Sequence, residues 1–558
     1  MSLMMMLRKS KQLKAGGLLP LFIALIAGVL MGLTVAPFGA WFLAWIALAP
    51  LWILIIEGKT NTFLCALLWG IGYHGVAIWW ITGIHPMTWM GVPILASLAI
   101  ATFCWIFLTL WGAALVATWA TCISFLGKNL AFPLRVLVGT TLWCGLESLW
   151  SRGALWWTTL AYTQSPHNTA ILHLGQISGT TAVTAALVTV NLLVAEAWLN
   201  TPVARIQERP LNPPTLGDLR SSPPQNWGVR GAKYYLCNRP KGYLNAIALL
   251  IGLHLLGWGL ASQPLIQPPE TALKVGIIQG NIPNEIKLYP GGLRRAIEGY
   301  TTGYQTLAEQ GVEAVLTPEG ALPLFWRDIP NSSFYKAVLE KGVVAWLGAF
   351  GEQGSSYTNS LFTLTGTGQI YSRYDKVKLV PLGEYIPFAE VLGGLINRLS
   401  PLEAQQVAGA DNQIFDTPFG RAIASICYES AFSEHLRRQT ALGGQFILSA
   451  ANNAHYSPAM PAQHHAQDVM RAIESDRWAV RATNTGYSGI IDPHGKTEWI
   501  SKLNTYQLHA ATIYRRETKT LYVRAGDWLM LLLLTLSLIV LGITLNNSRS
   551  HNEQPRQL

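Results

Sequence analysis

The segment Ala422-Ile423-Ala424-Ser425-Ile426-Cys427-Tyr428-Glu429-Ser430-Ala431 joins a short apolar run to a more polar one. The apolar part predicts a buried β-strand, and the residues after it predict the beginning of a helix. Cys427 stands at the junction, where backbone N–H groups and the positive end of a helix stabilise a thiolate. A nucleophile belongs at such a position, although a small buried core residue fits the thiol alone equally well.

Cys427 is the only cysteine between residues 263 and 526. Of the other five cysteines, four lie in apolar segments and Cys237 lies in a basic one. An exported domain that depends on disulfides carries an even number of cysteines. The lone thiol is therefore expected to be buried or used in chemistry.

Two charged segments also follow predicted strands. One is Leu316-Thr317-Pro318-Glu319-Gly320, and the other runs from Arg373 to Tyr385 and contains Lys376 and Glu384. A single Glu or Lys is usually solvated surface. Glu, Lys and Cys at successive strand ends of one domain instead predict a nucleophile with a base and a cation for an oxyanion.

The region 263–526 alternates between strand-like and helix-like patterns. Short apolar runs predict strands at residues 275–279, 314–317, 343–350, 422–427, 446–450, 479–482 and 488–491. Longer segments predict helices at residues 294–310, 334–341, 434–442 and 462–476. This alternation favours an α/β domain whose sheets are covered by helices.

The rest of the chain is strongly apolar. Half of the 558 residues are hydrophobic and 13% are charged, against about 25% charged residues in a typical soluble domain. This composition excludes an ordinary soluble enzyme and a disordered chain. We expect eight membrane spans, near residues 17–35, 41–56, 63–83, 92–117, 134–149, 180–199, 244–260 and 528–545. Two spans within residues 92–127 are the alternative.

Basic residues indicate the orientation of these spans. The net charge of +10 is concentrated in the N-terminal segment and in residues 200–242, which predicts cytoplasmic segments and no nucleic-acid partner. Counting spans from there places residues 263–526 outside the cytoplasm. The expected organisation is a transmembrane domain at residues 1–262 with a basic loop at 200–242, a catalytic domain at 263–526, and a last span with a tail at 527–558.

Three blocks resemble the nitrilase, or carbon-nitrogen hydrolase, superfamily. They are Pro318-Glu319, Tyr374-x-Lys376 with Pro381-x-Gly383-Glu384, and Ile426-Cys427-Tyr428-Glu429. Together with the predicted spans they resemble the membrane-embedded apolipoprotein N-acyltransferase family. Further matching segments are Gln279-Gly280-Asn281-Ile282-Pro283, Ala451-Asn452-Asn453-Ala454 and Arg481-Ala482-Thr483-Asn484-Thr485-Gly486.

The resemblance implies a protein of the bacterial inner membrane whose extracytoplasmic domain is an αββα sandwich. It also implies a ping-pong acyl transfer. Glu319 is then the base, Cys427 the nucleophile and Lys376 the oxyanion holder, while Glu384, Tyr428 and Glu429 support the site. An acyl chain passes from a membrane phospholipid through a Cys427 thioester to the free N-terminal amine of a diacylglyceryl-apolipoprotein. No metal or cofactor is needed.

Some positions depart from the family pattern. Leu288 occupies a place where the family commonly has Trp, and the neighbouring Tyr289 is a substitute aromatic surface. After Asn453 the family usually continues with Trp and Phe, whereas this chain has His455 and Tyr456. We expect these five residues to line a substrate pocket. A catalytic base at His455 is a less favoured alternative.

Three further expectations concern single sites. Glu147 is expected to pair with Arg152 near the outer membrane interface or to contact a lipid head group. His464 and His465 are expected on a helix surface. The segments Gly291 to Gly292 and Leu392 to Pro401 are expected to be mobile loops that gate the substrate.

Two other functions stay open. A membrane-anchored amidase or nitrilase uses the same three groups, with water in place of the lipid-linked amine. A transporter with a non-catalytic outer domain is the alternative from another class, although the predicted spans hold few ionisable groups and a transporter has no need of complete catalytic machinery.

Overall fold

The computed structural model describes residues 17–127, 130–200, 241–381, 383–385 and 406–552. The basic N-terminal segment, nearly all of the basic loop at 200–242, and the segment Leu392 to Pro401 lie outside the described residues.

Twelve strands form two six-stranded sheets in the polar half of the chain. In the first sheet the strand order is β12-β1-β2-β3-β4-β5, and in the second it is β11-β10-β9-β8-β7-β6. The strands are β1 Ala272–Gln279, β2 Ala314–Leu316, β3 Val344–Gln353, β4 Ser356–Leu364, β5 Ile370–Asp375, β6 Phe415–Thr417, β7 Gly420–Ile426, β8 Phe446–Ala451, β9 Ala479–Thr483, β10 Gly489–Ile491, β11 Thr497–Ile500 and β12 Gln507–Tyr514. Neighbours pair in parallel within β1 to β3 and within β7 to β9, and the remaining pairs are antiparallel.

The two sheets pack face to face through a shared apolar core. Val275 and Ile277 from β1 meet Ala424 and Ile426 from β7 in this core. Helices Pro290–Glu309 and Ser333–Lys341 cover the outer face of the first sheet. Helices Ser433–Ala441 and Ala459–Ser475 cover the second sheet. The predicted α/β sandwich is therefore present, with helices outside two central sheets.

Local sequence explains where several helices begin and end. Helix Ser333–Lys341 begins after Ser332, whose side chain accepts a hydrogen bond from Tyr335 N, and it ends at Gly342 in the left-handed conformation. Helix Thr62–Ala77 begins after Asn61, which accepts a hydrogen bond from Leu64 N. These capping residues satisfy backbone groups that have no partner inside the helix.

The seven predicted strands and four predicted helices all have counterparts in the structure. The five strands without a prediction are β4, β5, β6, β11 and β12. All five have at least one residue that is not buried, and β4, which is buried after its first residue, contains the polar Thr358, Asn359 and Ser360. Because β4 is polar although it is buried, its sequence carries no apolar run.

The remaining long helices coincide with the predicted spans. They are Leu19–Gly32, Ala49–Glu57, Thr62–Ala77, Ile94–Leu126, Phe132–Trp150, Gly175–Leu199, Lys241–Ala261 and Trp528–Asn552. A separate short turn, Trp41–Trp45, forms the first part of the second predicted span. Residues 94–126 form one continuous helix and not two.

Three of these helices are long and apolar enough to cross a membrane, namely Ile94–Leu126, Gly175–Leu199 and Gly242–Ala261. Four further apolar segments are shorter, at Leu19–Gly32, Trp41–Glu57, Thr62–Ala77 and Trp528–Thr544. The number of spans remains a prediction.

Two predictions from the sequence are wrong, namely the Glu147–Arg152 pair and the loop at Gly291 to Gly292. Glu147 is buried and accepts hydrogen bonds from Thr184 Oγ1 at 2.7 Å and Leu160 N at 3.1 Å; among the described residues Arg152 is not one of its partners. Arg152 lies beyond the end of the helix that carries Glu147, so the two side chains do not share a face.

Gly291 and Gly292 form the first turn of helix Pro290–Glu309, and a Cβ on Gly292 would lie 1.9 Å from Ile286 O. This segment is helical and not a loop, with Gly292 closely packed and Gly291 exposed.

Candidate active site

Three predicted site residues meet at the ends of strands from both sheets. Glu319 follows β2, Lys376 follows β5, and Cys427 follows β7. All three side chains are buried. The structure therefore brings together groups that are 108 residues apart from first to last in the sequence.

Glu319 is held by hydrogen bonds to both carboxylate oxygens. Its Oε1 accepts from Lys376 Nζ at 2.9 Å and from Asn359 Nδ2 at 2.8 Å. Its Oε2 accepts from Asn452 N at 2.9 Å. Burial opposes ionisation, but Lys376 outweighs it, so the pKa of Glu319 lies below its ordinary value. The carboxylate is ionised and ready to accept a proton.

Lys376 lies between two carboxylates. Its Nζ is 2.9 Å from Glu319 Oε1 and 2.6 Å from Glu384 Oε1. Burial acts against the charge, but the two carboxylates hold the pKa of Lys376 well above its ordinary value. Burial raises the pKa of Glu384, which shares this single ammonium with Glu319. Lys376 is a fixed positive charge beside the nucleophile.

Cys427 has an unusual backbone conformation. Its φ is +54°, a left-handed value that is uncommon for a residue other than glycine. Burial and the negative charge of Glu319 raise the pKa of its thiol to about 12, and the thiol lies 4.0 Å from Asn452 O. The resting thiol is protonated and has a base within reach, as general-base activation of a nucleophile requires.

His464 holds the backbone of the nucleophile and was not expected there. Arg481 Nη2 lies 2.6 Å from His464 Nδ1, and His464 Nε2 lies 2.7 Å from Cys427 O. Arginine only donates hydrogen bonds, so Nδ1 accepts and the proton is on Nε2, which donates to the Cys427 carbonyl. Burial and Arg481 lower the pKa of His464 to about 3. The imidazole is neutral.

The expected surface position of His464 and His465 is therefore wrong. Both side chains are buried. Their helix, Ala459–Ser475, lies between the second sheet and the apolar helices, so it has no exposed face. The sequence pattern predicts that one face of this helix packs on the sheet. It does not show that the opposite face packs on the apolar helices.

Glu384, Tyr428 and Glu429 all lie at the site. Glu384 contacts Lys376 and also accepts a hydrogen bond from Val380 N at 2.8 Å. Glu429 Oε1 accepts from Val377 N at 2.6 Å, and its Oε2 accepts from Ile426 N at 2.7 Å. Glu429 thus joins the segment after Lys376 to the residue before Cys427. The Tyr428 hydroxyl donates to Ala154 O at 2.7 Å, in the apolar half.

The five expected pocket residues occupy different environments. Asn453 is buried beside His464, 3.3 Å from its Nδ1, and Tyr456 packs edge-on against Trp80 at 5.0 Å. His455 is exposed, and its Nδ1 lies 2.8 Å from Asn284 Nδ2. Tyr289 is exposed and donates to Trp89 O at 3.2 Å, whereas Leu288 is partly buried. Among the described residues, no cluster of three or more His, Cys, Asp or Glu is arranged to hold a metal ion.

Two side chains at the site had no role in the sequence prediction. Asn359 donates to Glu319 from β4, and the buried Lys287 donates from Nζ to Glu319 O at 3.0 Å. Asn359 lies in a strand that the sequence did not predict. Lys287 follows the matching segment that ends at Pro283, and this proximity was the only signal available for it.

Comparisons with known proteins cover both halves of the chain. Residues 27–193 match the apolipoprotein N-acyltransferase N-terminal domain, and residues 274–518 match the carbon-nitrogen hydrolase family. An apolipoprotein N-acyltransferase from Nostoc sp. is 60% identical over 92% of this chain and 97% of its own length. Those from Synechocystis sp. and Thermosynechococcus vestitus are 49% and 43% identical over 91% and 93% of this chain, and over 98% and 95% of their own lengths.

Solved structures to which part of the chain is similar include an amidase from Nesterenkonia sp. and the C. elegans NitFhit protein. The amidase is 16% identical, with a TM-score of 0.36, and covers 47% of this chain and 96% of its own. The NitFhit protein is 18% identical, with a TM-score of 0.35, and covers 44% of this chain and 61% of its own.

Proposed function

This chain belongs to the apolipoprotein N-acyltransferase family, and from that premise we propose how its Cys427 site acylates lipoproteins. The enzyme N-acylates apolipoproteins, as its relationship to that family establishes. The observation that carries the proposed chemistry is the placement of the buried Cys427 thiol within electrostatic reach of the Glu319–Lys376 ion pair, whose atoms lie 2.9 Å apart. These are the nucleophile, base and cation that acyl transfer needs.

In the first half-reaction a membrane phospholipid donates its acyl chain. Glu319 takes the thiol proton while Cys427 Sγ forms a bond to the ester carbonyl carbon. The negative charge that develops on the carbonyl oxygen is stabilised by Lys376, together with the backbone N–H that follows the nucleophile. The ester C–O bond then breaks, protonated Glu319 returns the proton to the leaving alcohol, and a lysophospholipid departs from the Cys427 thioester.

In the second half-reaction the acceptor is the free α-amine of a diacylglyceryl-cysteine at a lipoprotein N-terminus. The amine attacks the thioester carbonyl and gives a proton to Glu319. The C–S bond breaks, the thiolate takes the proton back from Glu319, and the acyl chain remains on the amine as an amide. Glu384, Tyr428 and Glu429 are assigned supporting roles, since they position Lys376 and the Cys427 turn through the contacts described above.

Both substrates carry acyl chains that lie in a bilayer, so we place the site at a membrane surface. The protein is a membrane protein with apolar helices. The finer proposal is eight spans in a bacterial inner membrane, with residues 1–262 and 527–558 as the membrane parts and 263–526 as the periplasmic catalytic domain. The hydrogen bond from Tyr428 to Ala154 O supports a fixed height of the nucleophile above the apolar half.

A reconstituted assay tests this function. Purified enzyme in phospholipid vesicles is given a synthetic diacylated lipopeptide with a free N-terminal cysteine, and the product is sequenced by tandem mass spectrometry. We expect one added acyl chain on the α-amine and no reaction with the same lipopeptide acetylated at its N-terminus. Release of free fatty acid without any N-acyl lipopeptide, or ammonia from small amides, would instead identify a hydrolase.

A further inference from the structure

Lys287 is a buried ammonium that the reaction scheme above does not use. It ends the short helix Asn284–Lys287, and the residue is 6% exposed. Its Nζ donates to Glu319 O at 3.0 Å. Within the described residues Lys287 forms no salt bridge. A lysine is rarely buried in this way unless its charge has a partner or a purpose.

The charges at the site explain this burial. Glu319 and Glu384 are two buried carboxylates that share the single ammonium of Lys376. An unbalanced buried charge is costly. Lys287 contacts Glu319 through the backbone carbonyl, whereas Lys376 contacts its carboxylate, and Lys287 brings the number of cations to two. With Lys287 charged, the resting site holds two cations and two anions.

We propose that Lys287 is a positioning and charge-balancing residue of the acyl transfer, which fixes the turn that carries Glu319 and keeps this base ionised beside Cys427. The inference rests on the proposed function, because it assigns Lys287 to the same thioester chemistry. The main-chain hydrogen bond holds Glu319 just before Gly320, which has a φ of +52°. The positive charge of Lys287 favours the carboxylate of Glu319 over its protonated form.

The groups that face Lys287 come from several elements. They are Glu319 after β2, Cys427 after β7 and His455 after β8, with Lys376 beyond Glu319. Burial lowers the pKa of Lys287 to about 8, although Glu319 and Cys427 act against this decrease. Lys287 is therefore charged at neutral pH and loses its charge in mildly alkaline solution. Compared with the groups that face it, Lys287 alone is a buried cation with a pKa of about 8 that also donates a hydrogen bond to Glu319 O.

The test measures thioester formation on Cys427 in a single turnover with phospholipid, from about pH 5 to about pH 10. Intact-protein mass spectrometry after acid quench gives the rate. The first half-reaction is chosen because the acceptor amine itself titrates near pH 8. The variants are Lys287→Met, Lys287→Arg and the control Lys519→Met. Lys519 also donates to a backbone carbonyl, Ala441 O, at 2.9 Å, but it is exposed and contacts none of the site residues described above.

We expect the wild-type rate to fall above about pH 8, where Lys287 loses its proton. Lys287→Met should be at least about tenfold slower at neutral pH, should lack this alkaline decrease, and should need a higher pH to ionise Glu319. Lys287→Arg keeps a charge at all these pH values, so its alkaline decrease should disappear while its rate at neutral pH stays closer to wild type. Lys519→Met should behave like wild type.

The inference is overturned if Lys287→Met is slower but keeps the wild-type shape of the pH profile, because a merely structural residue would behave in this way. It is also overturned if Lys287→Met retains the wild-type rate. If the wild type itself forms no thioester, the proposed function fails together with this inference. The melting temperature of each variant is recorded, and Lys287→Arg decides the outcome if Lys287→Met does not fold.

Discussion

The side chain of Glu319 shows how the site prepares a base. Its two oxygens accept hydrogen bonds from Lys376, Asn359 and the backbone of Asn452, so the carboxylate cannot rotate away from the thiol. Its pKa is held below the ordinary value, while the pKa of the Cys427 thiol is raised to about 12. The proton therefore moves to Glu319 only as the carbon–sulfur bond forms.

Glu319→Gln tests this role. The amide keeps the shape of the side chain but cannot accept the thiol proton, so thioester formation should slow by about 10² to 10⁴-fold. The rate is measured by intact-protein mass spectrometry with phospholipid as the donor. Glu313→Gln, at an exposed carboxylate that accepts from Lys274 N at 2.8 Å, should leave the rate unchanged. A Glu319→Gln rate within tenfold of wild type would show that another group is the base.

Glu429 has a structural part in the site. Its fully buried carboxylate accepts from Val377 N, Lys378 N, Ile426 N and the Tyr374 hydroxyl. In Glu429→Gln an N–H₂ group replaces one acceptor, which leaves buried donors without partners. We expect a loss of about 1 to 3 kcal/mol in stability, measured as a lower melting temperature in detergent. Glu434→Gln, at an exposed ion pair, should cost less than about 1 kcal/mol. Equal losses in the two variants would contradict the bridging role of Glu429.

Among single residues, the sequence reveals a functional side chain best where its residue type is unusual for the surrounding segment. Cys427 is the only thiol of its region and stands at a strand end, and together with Glu319 and Lys376 after other strands it predicted chemistry. Lys287 and His464 lie in segments that resemble polar helix surfaces. Their burial depends on contacts with residues far away in the chain, which a single sequence does not reveal.

The helix Ala459–Ser475 is the element that ties the site to the apolar half. Nearly all of its residues are buried, because one side packs on the second sheet and the other on the apolar helices. His464 Nε2 holds Cys427 O from this helix, and His465 Nε2 lies 2.9 Å from Thr497 Oγ1. Both histidines are kept neutral, since burial lowers their pKa values to about 3 and about 4.

These two pKa values predict a loss of stability in acid. The unfolded chain protonates both histidines below their ordinary pKa of about 6.5, whereas the folded protein does not until about pH 4 or below. The unfolded state then binds more protons, so stability should fall as the pH decreases from about 6.5 towards 4. The melting temperature in detergent across this range measures the effect.

His465→Gln removes one of the two titrating groups and should lose less stability over the same decrease in pH. Thr497→Val is the matched control, because it removes the hydrogen bond of His465 and keeps its imidazole. We expect this control to melt at a lower temperature than wild type with a similar dependence on pH. Identical pH dependence in wild type and His465→Gln would contradict the assignment.

Among the elements, apolar strands were predictable and polar ones were not. The parallel strands β7 and β8 are buried on both faces and therefore contain continuous apolar runs. β4 carries Asn359 towards Glu319 and buries hydroxyl groups, so its polar sequence conceals a buried strand. The strand is missed because its buried polar residues take the place of an apolar run.

Over the whole molecule, a polar side chain joins the two halves next to the nucleophile. Gln463 Oε1 accepts from Trp80 Nε1 at 3.0 Å and from Trp157 Nε1 at 2.7 Å, and its Nε2 donates to Ala77 O at 2.7 Å. Trp157 in turn stacks on Tyr428, with ring centres 5.9 Å apart. The catalytic domain is thereby fixed to the apolar half at the residue that follows Cys427.

Gln463→Leu should disturb this alignment, because two buried indole N–H groups lose their acceptor. We expect acyl transfer from phospholipid vesicles to slow by about tenfold or more, with a much smaller effect on a short water-soluble acyl ester. Gln445→Leu, at a residue that bonds to Glu517 away from this interface, is the control. Equal slowing with both donors would mean that Gln463 supports the fold of the catalytic domain and not its alignment.

The sequence predicted both halves but not how they pack together. Apolar segments and strand patterns are local signals, and each can be read within about 20 residues. The contact between Gln463 and Trp80 joins residues 383 positions apart. Such pairing follows from the folded shapes of both halves, which is why the buried face of helix Ala459–Ser475 was expected to be exposed.

The acyl chain is expected to pass through Cys427, and the mass of the intact protein shows whether it does. Wild-type enzyme and Cys427→Ala are incubated with phospholipid, and the diacylated lipopeptide is then added. Wild type is expected to gain the mass of one acyl chain on Cys427 and the variant to gain none, and the lipopeptide should remove the chain and become N-acylated. N-acylation of the lipopeptide by Cys427→Ala, or an acyl chain on a different residue of the wild type, would contradict this expectation.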